Sequence, residues 1–230
     1  MIKKIIKFER DLEDCLLKSN FENFGVLMLH IKLKNLKKNY MLSYDHLTKN
    51  ILELFSITKP KNVIVPSFTY SFTNNKAFDV NSSKSEVGMF SEIFRSKYSN
   101  YRTNDPIFSF CHQKDFKKDY KNVNFNSAFI NNSIWEYFYK NNIIIVNLGL
   151  DHLVISMIHY IEFICKVPYR SLVNITGKIK VNGNNKFINY KFYAREKKSI
   201  YGLDWNKIEA DLIKNHIIKK GEKNSLNFKW

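Results

Sequence analysis

NIIIVNLGLDHLVISMIHYIEFICKVPYR, residues 142–170, holds both of the periods that set this fold. Its first half places Ile143, Ile144, Ile145, Val146 and Leu148 in near-continuous succession, the pattern of a strand buried on both faces. From Ser156 the chain is apolar on most sides and stops before Pro168, as a buried helix would. A buried strand followed at once by a helix is the unit of an α/β protein.

The alternation continues outward. Residues 1–20 carry Ile5, Phe8, Leu12, Leu16 and Leu17 at helical spacing, and 25–33 (GVLMLHIKL) read as a second buried strand ending near His30. Ser43 is placed to cap a helix over 43–57. A β-rich stretch, 61–72, leaves its sheet at Pro66. Helices are predicted over 87–97 and, capped by Ser133, over 133–141. Strands span 172–193 with a hairpin around 181–185, and Asp204 caps a last helix over 205–220, followed by a polar tail. The expectation is one α/β domain over 1–230, three layers deep, with a mixed β-sheet flanked by helices.

Within the helix after Ser156, the polar residues Ser156, His159 and Glu162 recur every three positions and form one stripe. A carboxylate beside an imidazole suits a general base, and a hydroxyl one turn earlier suits an oxyanion. A satisfied polar seam in a core helix explains the spacing equally simply, and on spacing alone it carries more weight. His152 either extends the stripe or caps the helix start. No glycine-rich phosphate loop, nucleophile elbow or zinc-binding histidine spacing is present, so a catalytic metal is not expected.

The net charge of +16 favours a polyanionic partner and argues against a strongly cationic ligand, although Lys is spread evenly along the chain. Residues 190–198 (YKFYAREKK) are the nearest thing to a nucleic-acid platform and read better as an edge strand entering a solvated turn. No nucleic-acid partner is expected. Three scattered cysteines and the absence of a long apolar run or leader pattern point to a reduced, cytoplasmic protein that does not enter a membrane.

Several stretches, taken in order, resemble one family, the aminoglycoside 3-N-acetyltransferases. They are VIVPSFTYSF (63–72), SEVGMFSEIFR (85–95), YRTNDPIFSF (101–110), FNSAFINNSIWEYFYKNN (125–142) and the block SMIHYIEFICKVPYR (156–170). The resemblance implies direct transfer of an acyl group from acetyl-CoA, or another acyl-CoA, to a sugar amine. His159 would be the general base, Glu162 its orienting partner, and Ser156, where the family usually has Thr, the oxyanion donor. It also implies that His30, Lys32, Ser67, Thr69, Arg102 and Ser109 face the cofactor. The serines and glycines that follow His30 in the family are replaced here by Ile31, Lys32 and a lysine-rich stretch, and Asp105 stands where the family has His. The charge makes an anionic, nucleotide-linked amino sugar the expected acceptor. An aminoglycoside acceptor and a non-catalytic CoA- or partner-binding relative are the alternatives, and a homodimer is left open.

Overall fold

The computed structural model describes residues 2–19, 25–115, 117–141, 143–181, 183–196, 202–221 and 228–229. Helices are α1 (Ile2–Ser19), α2 (Leu33–Tyr40), α3 (Tyr44–Ile57), α4 (Met89–Ile93), α5 (Ile134–Lys140), α6 (Ile158–Ile164) and α7 (Trp205–Lys214). Strands are β1 (Val26–Ile31), β2 (Asn62–Pro66), β3 (Phe78–Asp79), β4 (Tyr101–Arg102), β5 (Phe110–His112), β6 (Ser127–Ala128), β7 (Ile144–Leu148), β8 (Arg170–Val181), β9 (Asn184–Arg195) and β10 (Phe228–Lys229).

The expected mixed sheet runs in the order β10-β7-β1-β2-β5-β4. Its centre, β7-β1-β2, is parallel; β10 and β5 run antiparallel to it on either side, and β4 pairs antiparallel with β5. Alternation along the central strands divides the core in two. Leu27, Leu29, Val63, Val65, Val146 and Leu148 pack with α1, α2 and α3 on one face. Val26, Met28, Ile64 and Phe110 pack on the other with α5, α6 and aromatic residues of the second sheet. Burial on both faces is why these strands are nearly all aliphatic.

A second sheet, β3-β8-β9-β6, is built on the twelve-residue hairpin strands β8 and β9. Residues 190–195 lie in β9, between β8 and the two-residue β6, so they are not the edge strand the sequence suggested; 197 and 198 lie outside the described residues. Gly177 of β8 lies against Phe72, whose ring would be 2.6 Å from any added Cβ.

Other departures are local. The strand predicted over 25–33 ends at Ile31, because Leu33, Leu36 and Tyr40 have helical spacing and bury the face of α2. The helix predicted over 87–97 starts at Met89 after Gly88 and widens to a π turn from Phe94. Ser43 caps α3, accepting from the His46 N–H at 3.2 Å, and Asp204 caps α7 through Lys207 at 3.0 Å. Ser133 stands at the start of α5, but its hydroxyl donates to Ile130 O at 2.6 Å instead of capping. Beyond α7 the tail returns to the sheet as β10, so it is not simply polar coil.

Strand β7 and helix α6 are not contiguous. Gly149 turns the chain with φ +71°, and a Cβ there would lie 3.0 Å from both Leu36 and the Lys32 carbonyl, so the turn needs glycine. The Asn147 side-chain carbonyl accepts from Val154 N–H at 2.8 Å and folds the 149–157 loop back over the end of β7. Only Tyr160 and Glu162 of α6 are buried. The helix is therefore half-exposed and not the core helix its composition predicts.

Candidate active site

The loop after β7 and the first turn of α6 lie beyond the carboxyl ends of the parallel strands, where open α/β sheets bind ligands. A cleft of about 300 Å³ is lined there by His30 of β1, Pro66 of β2, Phe68, Tyr70, Ser91 and Ser156, among others. A smaller recess of about 210 Å³, lined by His152, Ser156, His159 and Trp205, shares Val154 and Ser156 with it. Ser156 thus stands on the boundary of both spaces, two residues before α6 begins.

His159 and Glu162 are brought together as the stripe predicts. His159 Nδ1 lies 2.9 Å from Glu162 Oε2. The side chain of His159 is 33% exposed and that of Glu162 only 4%, so the imidazole is open to the recess while the carboxylate stays behind it. Tyr169 OH donates to Glu162 Oε1 at 2.9 Å, and Arg170 Nε sits 2.7 Å from Oε2 as an ion pair, without the alignment of a hydrogen bond. Burial alone would raise the Glu162 carboxyl; the bonds from His159 and Tyr169 and the charge of Arg170 outweigh it and hold the group below the usual carboxylate range.

Arg170 also places Nη2 2.7 Å from His159 Nδ1, and its Nη1 donates to Tyr193 O at 3.2 Å. A single ring nitrogen cannot donate to Glu162 and accept from Arg170 at once. The tautomer with hydrogen on Nδ1 serves Glu162 and leaves the Nε2 lone pair free; the other tautomer serves Arg170 and puts the hydrogen on Nε2. Arg170 and Glu162 therefore compete for the state of the imidazole. The ring is held laterally by Phe129, edge-to-face at 5.0 Å. Phe129 is buried at φ +55°, a left-handed conformation costly for a bulky residue. It packs in turn on Trp135 at 4.6 Å.

The residues predicted to face the cofactor separate into two groups. His30 lines the cleft, its Nε2 buried and without a partner among the described residues, and burial lowers its pKa to about 4. A neutral imidazole with an orphaned nitrogen in a cleft is suited to hydrogen-bond a bound molecule, so the site fits a polar co-substrate. Lys32 pairs with Asp151, which also accepts from Asn35 at 2.8 Å, and so ties α2 to the loop after Gly149.

Ser67, Thr69 and Ser109 are buried and do not line the cleft. Arg102 donates to Ser109 Oγ at 2.9 Å, to Ser67 O at 2.7 Å and to Ser83 O, while Ser109 Oγ donates to Ser67 O at 2.9 Å. Burial lowers the Arg102 pKa to about 10. Thr69 Oγ1 donates to Glu86 at 2.9 Å. These side chains fasten the loop after β2, and their hydrogen-bonding groups are spent on the protein itself. Asp105 is likewise internal: it accepts from Ile107 N–H, Phe108 N–H and Tyr190 OH at 2.7–2.9 Å, and burial raises its pKa to about 7 against those bonds.

Sequence reasoning assigned no role to Tyr169, Arg170, Trp205 or Tyr70. Tyr169 and Arg170 directly follow Pro168, and their spacing of seven and eight from Glu162 was legible; contact with its carboxylate was not. Among the described residues no cluster of side chains suits a metal ion, and no helix is long and apolar enough to cross a membrane.

A histidine–carboxylate pair beyond the strand ends of a mixed α/β sheet suits general-base chemistry on a bound molecule. The family profile of the aminoglycoside 3-N-acetyltransferases matches residues 54–229, and the chain belongs to that family: it is a CoA-dependent acetyltransferase. Its fold is shared with YokD of Bacillus subtilis (16% identity, TM-score 0.72, covering 96% of this chain and 91% of that one). Sisomicin-bound AAC-VIa (13%, 0.76, 96% and 91%) and AAC-IIIb in a binary complex with CoASH (11%, 0.76, 96% and 90%) are similar in the same degree. A search of curated proteins finds no match.

Proposed function

We propose that the protein transfers the acetyl group of acetyl-CoA to an amine of an aminoglycoside-type amino sugar, with His159 as general base. The observation that carries this is the His159–Glu162 contact at 2.9 Å, with the imidazole open to the recess and the carboxylate closed behind it. His159, with Nδ1 donating to Glu162, takes a proton on Nε2 from the neutral amine as it attacks. The amine nitrogen bonds to the thioester carbonyl carbon, and the carbonyl oxygen becomes an oxyanion to which Ser156 donates. Collapse breaks the C–S bond, and the CoA thiolate leaves with the proton that His159 holds. Attack by a neutral, aligned amine on an activated thioester needs no acyl-enzyme. His30, in the cleft on the other side of Ser156, is the polar contact for the donor.

A nucleotide-linked amino sugar is the second reading. It is supported by the net charge of +16 and by the absence of carboxylates among the described residues lining the cleft and the recess. Release of free CoA thiol, followed with sisomicin and with nucleotide-linked amino sugars in parallel, separates the two. Turnover of sisomicin is the expected result, and turnover of the sugar nucleotide alone reverses the order. His159→Ala is expected to lower turnover about 10²–10⁴-fold while CoA binding persists. Unchanged turnover would remove His159 from the chemistry. The free thiols Cys15, Cys111 and Cys165 accord with a reducing, cytoplasmic setting.

A further inference from the structure

The recess beside His159 has aliphatic walls, Leu153 and Ile158 among them, and its polar side chains are His152, Ser156 and His159. Trp205, the first residue of α7, is half-buried against it, and no carboxylate is among the described residues that line it. Trp205, Ile208 and Leu212 stand at i, i+3 and i+7 and so share one face of α7. Ile208 and Leu212 look across to Ile158 and Ile161 of α6, which brings the indole to the His159 end of that face. Two contacts fix it there. Asp204, just before Trp205, caps the helix. Glu209, one turn on, accepts from Leu153 N–H at 3.2 Å and pairs with Lys229 at 2.7 Å and Lys220 at 3.1 Å. Leu153 belongs to the loop that carries Ser156, so the indole is held relative to the groups that do the chemistry.

The donor cleft, on the other side of Ser156, does not include Trp205, so the indole faces the acceptor. A pyranose with equatorial hydroxyls presents C–H bonds on its flat faces, and these pack on an aromatic ring while the hydroxyls at its edge keep their water. The amine must also arrive neutral. A carboxylate beside it would favour the ammonium, which has no lone pair with which to attack. An indole face attracts the cation more weakly and leaves its proton to His159. At about 210 Å³ the recess takes one ring of the acceptor, and the remainder of a larger molecule lies outside it. We infer that Trp205 is the platform on which the reacting ring of the amino sugar stacks, and that the acceptor is selected by stacking and not by ion pairing.

This rests on acyl transfer at Ser156 and His159 and adds to it what holds the acceptor. The test is steady-state kinetics of the full chain with acetyl-CoA and sisomicin, or with the nucleotide-linked amino sugar if that is the acceptor turned over. In Trp205→Ala the KM for the acceptor is expected to rise about 5–30-fold, with kcat and the KM for acetyl-CoA changed by less than about threefold. Trp205→Phe should restore most of the loss, and the parent's acceptor KM should not climb as salt is added. An unchanged acceptor KM, or KM values for both substrates rising together, overturns the inference and leaves Trp205 a packing residue of α7. A steep rise of the acceptor KM with salt also overturns it, because ion pairs would then hold the acceptor. Should Trp205→Ala fail to fold, indole emission decides: the acceptor, added without acetyl-CoA, should change the emission of the parent and not of Trp205→Phe, and a like response in both overturns the inference. Failure of the parent to turn over either acceptor refutes the acyl-transfer reading itself, and the platform with it.

Discussion

Removing the carboxylate of Glu162 while keeping its volume, as Glu162→Met, tests the physical account of the site most directly. The side chains of Glu162 and Arg170 are 4% and 9% exposed and 2.7 Å apart. The substitution leaves a buried guanidinium without its counter-charge, and Tyr169 OH and the His159 ring without their acceptor. Breaking a buried ion pair from one side costs about 3–5 kcal/mol, chiefly because the surviving charge is stranded. In a domain of this size that corresponds to a fall in Tm of about 6–20 °C. Stranding, as opposed to loss of attraction, has its own signature: Glu162→Met/Arg170→Met should recover most of the loss. The sign of the pH dependence follows from the lowered carboxyl. Glu162 contributes stability above its unfolded pKa of about 4.3, and the contribution is lost as pH falls through the lower folded value. The single variant should therefore show a shallower acid limb. Thermal unfolding followed by circular dichroism between pH 3 and 7 measures both. A single variant within 2 °C of the parent, or a double variant less stable than the single, would refute the reasoning.

Three further outcomes are expected. Arg170→Gln, which relieves the competition at His159 Nδ1 while retaining a donor, should shift the pH–rate profile, whereas a purely structural arginine would lower stability and leave the profile in place. Asp105, raised by burial to about pH 7, favours the folded state when protonated, so stability should decline as pH rises from about 4 to about 7. Asp105→Asn should flatten that slope in denaturant titrations, and an unchanged slope would place its origin elsewhere. Gly177→Ala drives a methyl into Phe72 and should cost about 1–3 kcal/mol in the same assay; parental stability would show that the ring moves aside freely.

The sequence by itself determined the elements whose patterning is local. The run Ile143–Ile145, the caps at Ser43 and Asp204 and the three-residue spacing of Ser156, His159 and Glu162 each announce their structure within a few residues. Even so, α2 was legible in Leu33, Leu36 and Tyr40 and was obscured by the strand that precedes it. Only the tertiary structure decided the rest, because it depends on partners far apart in sequence. Arg102, Ser67 and Ser109 look like ligand-facing groups until the fold spends their donors on one another across as many as 42 positions. Ile158 and Ile161 of α6 come to face Ile208 and Leu212 of α7, some 50 residues later, only because Glu209 ties α7 to the loop before α6 by accepting from Leu153 N–H. Periodicity states which side of a helix is apolar. What stands opposite that side, whether packed core, solvent or an open cleft, is settled by long-range packing that no local pattern encodes.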